Sequence, residues 1–343
     1  MRYKRKQSYF EAPINVNIAL TEQCSLQCPF CFQEYGHGAN LNFSLLKSYL
    51  DQLAQMGTCC VQYSGGDPLL YPYLEEAIEY AHELGLYTRL STSGSTLTFA
   101  YAKRLKKAGL DCCHLSLNGS TQEIHSKTRD GFLETMDAMR ILSEVKVPCA
   151  INWVANHENI PDLIHVIELA QSMQVSYIDI LANKPSHNMK LLFPYNYNDL
   201  IWLKKLCEKY PEYLNVESCF NELRLLLYGT KIPVVDKGCK AGRFHMAIDA
   251  RGTFLPCPHL GILGEKMKDI TTYWNTSEVL GQIRECFRRG MGNKVSRFAV
   301  SETSLCNYCR YKQCCNPCYV GQNGQLLHCT DRRACIVFNE SSQ

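Results

Sequence analysis

Three cysteines near the start of the chain are spaced as CxxxCxxC. They are Cys24, Cys28 and Cys31, in the stretch ALTEQCSLQCPFCFQEY. Closely spaced thiolates bind zinc or iron–sulfur clusters, and a triplet leaves one position of a four-ligand site open. The chain has 20 cysteines in 343 residues, so a triplet also arises easily by chance. Its context must therefore decide what it means.

The composition excludes several classes of protein. The opening residues MRYKRKQSYF lack the apolar stretch and cleavage site of a secreted disulfide-bonded protein. No apolar run is long enough to span a membrane. The net charge of +3 comes from mixed acidic and basic residues, which gives no electrostatic argument for nucleic acid. We therefore expect a cytoplasmic protein with reduced thiols.

Short apolar runs alternate with amphipathic stretches along most of the chain. The predicted strands are residues 14–20, 59–64, 86–92, 111–117, 147–154 and 175–181. The predicted helices are residues 43–57, 73–85, 99–109, 131–145, 161–173, 197–209 and 221–229. This alternation predicts an α/β fold with parallel strands, but it does not separate a doubly wound sheet from a barrel. After about residue 232, cysteines recur among Gly, Pro and polar residues, which suggests a small metal-stabilised domain.

Small polar residues follow four of the predicted strands. The cysteine triplet follows the first, and the next three end in Ser64-Gly65-Gly66-Asp67-Pro68, Ser91-Thr92-Ser93-Gly94 and Ser116-Leu117-Asn118-Gly119. In parallel α/β folds, ligands bind at the carboxyl ends of the strands. Any one of these loops could be only a turn. Four in succession predict a ligand site, with Arg129 nearby to bind a carboxylate.

Two motifs resemble those of the radical S-adenosylmethionine (SAM) enzymes. One is the cysteine triplet with Phe30 before its third cysteine, and the other is the loop Gly65-Gly66-Asp67-Pro68, in which Asp67 replaces the usual Glu. The resemblance covers residues 14 to about 180. It implies a partial (β/α)6, TIM-like barrel in which the three thiolates hold a 4Fe-4S cluster. The fourth iron would then be open to the amino and carboxylate groups of SAM.

The same resemblance assigns roles to the loop residues. It implies that Gly65 and Gly66 contact the amino group of SAM and that Asp67 helps to fix their loop. Ser116 and Asn118 would contact the ribose, and Arg129 would bind the carboxylate. Ser91 or Thr92 would lie near the methionyl end. For His125, substrate contact and structural packing are both open.

The cysteine-rich tail is similar to a SPASM domain, which carries auxiliary 4Fe-4S clusters. By that pattern, the first auxiliary cluster has ligands Cys239, Cys257 and Cys318, and the second has Cys306, Cys309, Cys314 and Cys335. Cys314 is preferred over Cys315, since the spacing cannot satisfy both. Either Cys219 or Cys329 completes the first cluster, or an open iron binds a substrate thiolate. The implied division is an arm (1–13), a radical SAM barrel with linker helices (14–232) and a SPASM-like domain (233–343).

Ten cysteines have no predicted cluster role. We expect those in strands to be small buried hydrophobes, namely Cys59, Cys60, Cys112, Cys113 and Cys149. The roles of the others are open, namely Cys207, Cys219, Cys286, Cys315 and Cys329.

The resemblance implies reductive cleavage of SAM to a 5'-deoxyadenosyl radical and oxidative cross-linking, as a thioether or carbon–carbon bond, of a ribosomally made peptide. Alternatives are a peptide epimerase, a formylglycine-forming sulfatase-maturing enzyme and, without catalysis, an iron–sulfur electron carrier or zinc-binding scaffold. A flavodoxin or ferredoxin would supply electrons. About 13 residues precede the first strand, too few for a fused leader-binding domain, so a separate chain would bind any leader peptide.

Overall fold

The structure is a computed structural model that describes residues 5–6, 9–33, 38–184, 193–231 and 238–289. The predicted ligands Cys306, Cys309, Cys314, Cys318 and Cys335 lie outside these residues. Within them, no helix is both long and apolar enough to cross a bilayer.

Eleven strands occur in the described residues. They are β1 (Arg5–Lys6), β2 (Tyr9–Phe10), β3 (Asn15–Thr21), β4 (Cys60–Gly65), β5 (Tyr87–Thr92), β6 (Cys112–Ser116), β7 (Cys149–Val154), β8 (Tyr177–Leu181), β9 (Leu214–Val216), β10 (His245–Ile248) and β11 (Phe254–Leu255). All six predicted strands are confirmed, as β3 to β8. The pattern missed the other five, namely β1, β2, β9, β10 and β11, each of two to four residues and too short to show periodicity.

Ten α-helices accompany these strands in the described part of the chain. They are α1 (Phe43–Met56), α2 (Leu74–Glu83), α3 (Phe99–Lys107), α4 (Gln122–Ser126), α5 (Phe132–Val145), α6 (Leu163–Ser172), α7 (Tyr197–Lys209), α8 (Asn221–Tyr228), α9 (Ile270–Thr276) and α10 (Glu278–Arg289). Their ends follow local chemistry. The Asn42 side chain caps the start of α1, and Gly57 ends that helix in a left-handed conformation.

The order of strands in the large sheet separates the two folds that the pattern left open. Nine strands form one sheet in the order β11-β10-β3-β4-β5-β6-β7-β8-β9. From β3 to β9 each strand pairs in parallel with the next one in sequence. In a doubly wound sheet the order of the strands reverses at a switch point, whereas from β3 to β9 the order runs in one direction. The expected partial barrel is confirmed, with β9 and β11 as its two edges.

The two faces of the sheet differ in chemistry. In β4, Val61 and Tyr63 are fully buried in the apolar cluster that includes residues of the surrounding helices. Gln62 and Ser64, on the other face, line a cavity inside the barrel. Because successive strand residues point to opposite faces, this alternation gives an apolar outer layer and a polar interior.

The segment after residue 238 joins the same sheet. β10 pairs in parallel with β3, and β11 pairs with β10 in antiparallel orientation. Trp274 in α9 is fully buried and donates from its indole N–H to the carbonyl oxygen of Phe10 at 3.1 Å. The predicted domain boundary near residue 232 stays a prediction, but the first strands beyond it extend the barrel.

The strand cysteines were expected to be buried, and four of them are. Cys60, Cys112, Cys113 and Cys149 are all buried. For Cys59 the expectation is wrong, since this residue is exposed. It precedes the first residue of β4, beyond the cover of the flanking helices. Cys207, left open by the sequence, is buried in the core at α7.

We predict that Tyr63→Phe lowers the free energy of unfolding of the apoprotein by about 1 kcal/mol. The Tyr63 hydroxyl is fully buried and donates to the carbonyl oxygen of Ala77 at 2.9 Å, which joins β4 to α2. Urea unfolding followed by circular dichroism measures the effect. Tyr73→Phe is the control, because Tyr73 is 46% exposed, and it should change nothing. Equal stability of both variants would contradict the prediction.

Candidate active site

One cavity of about 780 Å³ occupies the barrel interior and its mouth. It gathers nearly all the predicted site residues that lie in the described part of the chain, namely Cys24, Cys28, Cys31, Gly65, Gly66, Asp67, Ser91, Thr92, Ser116, Arg129, Cys239 and Cys257. A typical TIM barrel fills this space with branched apolar side chains. Here the inward positions carry polar and small residues, so the barrel encloses a site.

The cysteine loop is held by backbone contacts with the loop after β4. Gly66 N–H donates to the carbonyl oxygen of Thr21 at 2.8 Å, and Asp67 N–H donates to that of Gln23 at 2.7 Å. A Cβ at Gly65 would lie 2.2 Å from the Thr21 oxygen, and one at Gly66 would lie 2.1 Å from the Gln23 oxygen. The two glycines are therefore needed for close approach to the chain beside Cys24. The sequence had attributed them only to the approach of a ligand.

The Asp67 side chain joins the loop after β4 to the loop after β5. It is 1% exposed and accepts hydrogen bonds from the hydroxyls of Thr92 and Ser93, each at 2.6 Å. It also accepts from Leu69 N–H at 3.1 Å, which caps the short turn after the glycines. The expectation that Asp67 fixes the loop is consistent with this geometry. Thr92 is engaged in the same network, which leaves Ser91 as the inward-facing residue of the pair.

The other side of the cysteine loop rests on the segment around Arg129. Asp130 N–H donates to the Cys28 sulfur at 3.5 Å, and the Asp130 carboxylate accepts from Gln27 N–H at 3.0 Å. Leu26 N–H donates to the Cys24 sulfur at 3.5 Å. Amide donors to two of the three sulfurs would stabilise them as thiolates.

Burial governs the protonation of Cys24 and Cys28. Desolvation raises the pKa values of Cys24 and Cys28 above the ordinary thiol value, although backbone N–H donors and, for Cys28, the charge of Arg129 oppose it. These thiols are therefore neutral near pH 7 in the metal-free chain. Because metal ligation needs thiolates, cluster binding must release their protons.

The residues at this site fit a cluster and SAM. The Arg129 guanidinium lies 5.0 Å from the ring of Phe30, and its Nε is buried without a hydrogen-bond partner. An unsatisfied guanidinium beside Cys28 suits a carboxylate ligand. No three His, Cys, Asp or Glu side chains in the described ranges are arranged around a single metal ion. In a 4Fe-4S cluster, by contrast, each thiolate binds a different iron.

For Asn118 and His125 the geometry favours structural roles. Asn118 is fully buried and does not line the cavity; its amide donates to Thr128 at 2.9 Å and accepts from Val154 N–H at 3.1 Å. The predicted contact of Asn118 with the ribose stays a prediction. His125 is also fully buried; it accepts from Asn118 N–H at 3.3 Å and contacts the Asp130 carbonyl at 3.2 Å. Burial lowers the pKa of His125 to about 4, so it is a neutral packing residue.

A second group of cysteines lies where the two sheet edges approach each other. Cys219 follows β9, while Cys239 and Cys257 flank the β10–β11 hairpin. The three pack with Leu260 and Ile283 in one small cluster. Sequence reasoning named Cys239 and Cys257 as ligands but left Cys219 open, because nothing in the chain shows that the edges meet.

The sequence also missed a polar group deeper in the barrel, formed by Gln62, Arg89, His114, Asn152 and Asp179. The sequence gives only a weak sign of this group, namely polar residues at alternate positions of strands that are otherwise apolar.

Comparisons with known proteins agree with this site. Residues 18–170 match the sequence model of the Radical SAM superfamily. PqqA peptide cyclase from Ruegeria pomeroyi is 33% identical over 175 residues, 49% of this chain and 47% of the relative. The enzyme of the same name from Rhodopseudomonas palustris is 33% identical over 178 residues, 50% of this chain and 47% of the relative. The chain thus spans about half the length of the curated relatives it matches.

Solved structures share the fold. The crystal structure of Streptococcus suis SuiB bound to S-adenosylmethionine has a TM-score of 0.74 at 20% identity, covering 92% of this chain and 75% of SuiB. SuiB bound to the precursor peptide SuiA gives 0.75 at 19% identity, covering 96% and 77%. Native anSMEcpe with bound AdoMet gives 0.68 at 17% identity, covering 96% and 95%.

We predict that Gly66→Ala displaces the cysteine loop. The added Cβ would meet the Gln23 carbonyl oxygen, so the chain beside Cys24 has to move. We expect a loss of stability above about 2 kcal/mol and fewer irons bound after anaerobic reconstitution, measured by urea unfolding and iron analysis. Gly281→Ala is the matched control, since a Cβ there meets nothing within 4 Å. Normal iron content in Gly66→Ala would show that the loop tolerates the shift.

Proposed function

We propose, from the match of residues 18–170 to the sequence model of the Radical SAM superfamily, that the protein is a radical SAM maturase that oxidatively cross-links a ribosomally made peptide. The observation that carries this proposal is the cavity shared by the N-terminal cysteine triplet, Arg129 with its buried Nε, and the cysteines Cys239 and Cys257. An electron carrier or zinc scaffold has no use for an enclosed cavity lined by polar side chains.

A peptide substrate is supported by the similar proteins. The curated relatives are named as peptide cyclases, and SuiB was crystallised with its precursor peptide. The cavity of about 780 Å³ opens at the barrel mouth, where a side chain or a short loop of a peptide would enter. A bound peptide would shield the reacting groups from solvent, which protects reactive species.

Each residue of the site has a proposed task. The thiolates of Cys24, Cys28 and Cys31 hold the cluster, and the Gly65–Gly66 loop fixes the chain beside it. Arg129 binds the carboxylate of SAM. When bound, the cluster and SAM supply a 5'-deoxyadenosyl radical that removes a hydrogen atom from the substrate. Ser91 and Ser116 face the cavity, where they are placed to hydrogen-bond the rest of the cofactor.

An auxiliary cluster is proposed at the second group of cysteines. After loss of a hydrogen atom, a substrate that closes a new bond must give up one more electron, and a nearby cluster can accept it. Cys239 and Cys257 fit this task. The packing of Cys219 against them favours closure of the site by this cysteine over an open iron. The second auxiliary cluster would use tail cysteines outside the described residues.

One further partner follows from this chemistry. A flavodoxin- or ferredoxin-type protein would supply electrons. We propose a cytoplasmic location, where thiols stay reduced.

We predict that Arg129→Gln weakens SAM binding about 30-fold, since loss of one charge-assisted partner costs about 2 kcal/mol. Iron content should not change, because Arg129 supplies no ligand to the cluster. Equilibrium dialysis with radiolabelled SAM measures the affinity. Arg140→Gln is the control, because Arg140 lies on the surface of α5 and pairs only with Asp137 and Glu144. Unchanged SAM affinity in Arg129→Gln would place the carboxylate elsewhere.

We predict that the product peptide is lighter than its precursor by two hydrogens, because a cross-link removes one hydrogen from each joined atom. The measurement is mass spectrometry of a precursor encoded beside this gene, treated with the reconstituted enzyme in water and in heavy water. An epimerase would leave the mass unchanged in water and add one deuterium per residue in heavy water. That second pattern would replace cross-linking by epimerisation.

A further inference from the structure

The floor of the barrel cavity carries an arginine that the proposed chemistry does not use. Arg89 faces inward from β5, on the same face as Ser91, and lines the cavity together with Cys24. Thr92, at the end of β5, is three residues further along the strand, which corresponds to a depth of about 10 Å. Arg89 therefore lies well below the loops that would hold SAM.

The other charged groups on the floor satisfy one another. Asp179 accepts a hydrogen bond from Asn215 and lies 3.3 Å from Nδ1 of His114. Nε2 of His114 lies 3.2 Å from the Tyr177 hydroxyl. Burial alone would lower the pKa of His114, but its hydrogen bonds to Asp179 and Cys112 raise that pKa to about 9. Near pH 7 the His114–Asp179 pair is therefore an ion pair with no net charge.

Arg89 has no such direct partner in the described residues, although burial, which lowers its pKa, is outweighed by surrounding groups that include Asp179. Within the described residues, its guanidinium makes no hydrogen bond and no carboxylate oxygen lies within 4.0 Å of it. Its Nε is shielded from solvent and unpaired, and its Cζ lies 5.8 Å from the centre of the Tyr87 ring. Burial raises the pKa of the neighbouring Cys60 thiol to about 11, so this neighbour is neutral.

An unpaired guanidinium in a cavity wall is costly unless a ligand satisfies it. Its planar fork of N–H donors matches a carboxylate in bidentate geometry. The wall beside it is already fixed, since Ser91 accepts hydrogen bonds from the amides of Gln62 at 2.8 Å and Asn152 at 3.1 Å. A ligand that enters from the barrel mouth would therefore meet a preformed site.

We propose that Arg89 binds the carboxylate of an Asp or Glu side chain that the substrate peptide inserts into the barrel. This inference rests on the proposed function and specifies its substrate. Arg89 is then a specificity-determining residue, because it fixes which residue of the peptide lies beside the reacting groups. The carboxylate of SAM is assigned to Arg129 instead, because Arg129 lies beside Cys28 at the mouth.

The experiment measures binding of small probes to the reconstituted, SAM-loaded enzyme by isothermal titration. The probes are the N-acetylated pentapeptide amides Gly-Gly-Glu-Gly-Gly and Gly-Gly-Gln-Gly-Gly, together with the Gln peptide carrying a free C-terminal carboxylate. Wild-type enzyme should bind the Glu amide at least tenfold more tightly than the Gln amide. Arg89→Gln should remove this preference, and Arg89→Lys should keep part of it because it keeps the charge. Arg104→Gln, at an exposed ion pair with Glu75 on the outer helices, should behave as wild type.

Several outcomes would overturn the proposal. They are equal binding of the Glu and Gln amides by wild type, a preference that persists in Arg89→Gln, and a loss of SAM affinity rather than peptide affinity in that variant. Tighter binding of the free C-terminal carboxylate than of the Glu side chain would overturn the side-chain assignment.

The formation of 5'-deoxyadenosine after reduction with dithionite is measured in parallel. If wild type prefers the Glu peptide but cleaves no SAM, the proposed function fails while the carboxylate site stands.

Discussion

The contact between two backbone segments controls the candidate site. The loop after β4 approaches the chain between Thr21 and Gln23 so closely that only glycine fits at positions 65 and 66. Two backbone hydrogen bonds, from Gly66 and Asp67, then fix the chain that leads into the cysteine triplet. Cys24 would otherwise belong to a long connection with no regular structure, which is a poor scaffold for three ligands.

Asp67 extends this constraint to the rest of the mouth. One buried carboxylate ties the β4 loop to the β5 loop through two hydroxyls. A longer Glu at this position would have to place its carboxylate differently, so the Asp matches the hydroxyls of Thr92 and Ser93 in this chain. The site is therefore a connected set of loops, each positioned by the strand before it and by its neighbour.

The polar interior of the barrel depends on the apolar outer face of the same strands. Its outer face buries a continuous apolar layer against the helices, and this layer stabilises the fold. The interior can then carry groups that contribute little to stability. Most of them are paired, as His114 is with Asp179, while Arg89 and Arg129 keep unsatisfied nitrogen atoms at two different depths. Stability and ligand binding are thus assigned to opposite faces of the same strands.

The sequence by itself determined the six central strands, most of the helices and the cysteine triplet, because each depends on short-range periodicity or spacing. It also identified the glycine loop and Arg129, through their positions after strands and through family resemblance. Periodicity left a barrel and a doubly wound sheet open, and the family resemblance implied the barrel. The tertiary structure confirmed it through the strand order, which is set by pairing between distant segments. Likewise, Cys219 joined Cys239 and Cys257 only because β9 and β10–β11 form opposite edges of one sheet. Asn118 was predicted to contact a ligand, yet it is fully buried and hydrogen-bonded within the protein. Arg89 was predicted only as part of a strand, yet its buried Nε has no hydrogen-bond partner. Whether a polar group is free depends on its neighbours in space, and those neighbours come from parts of the chain that no local pattern connects.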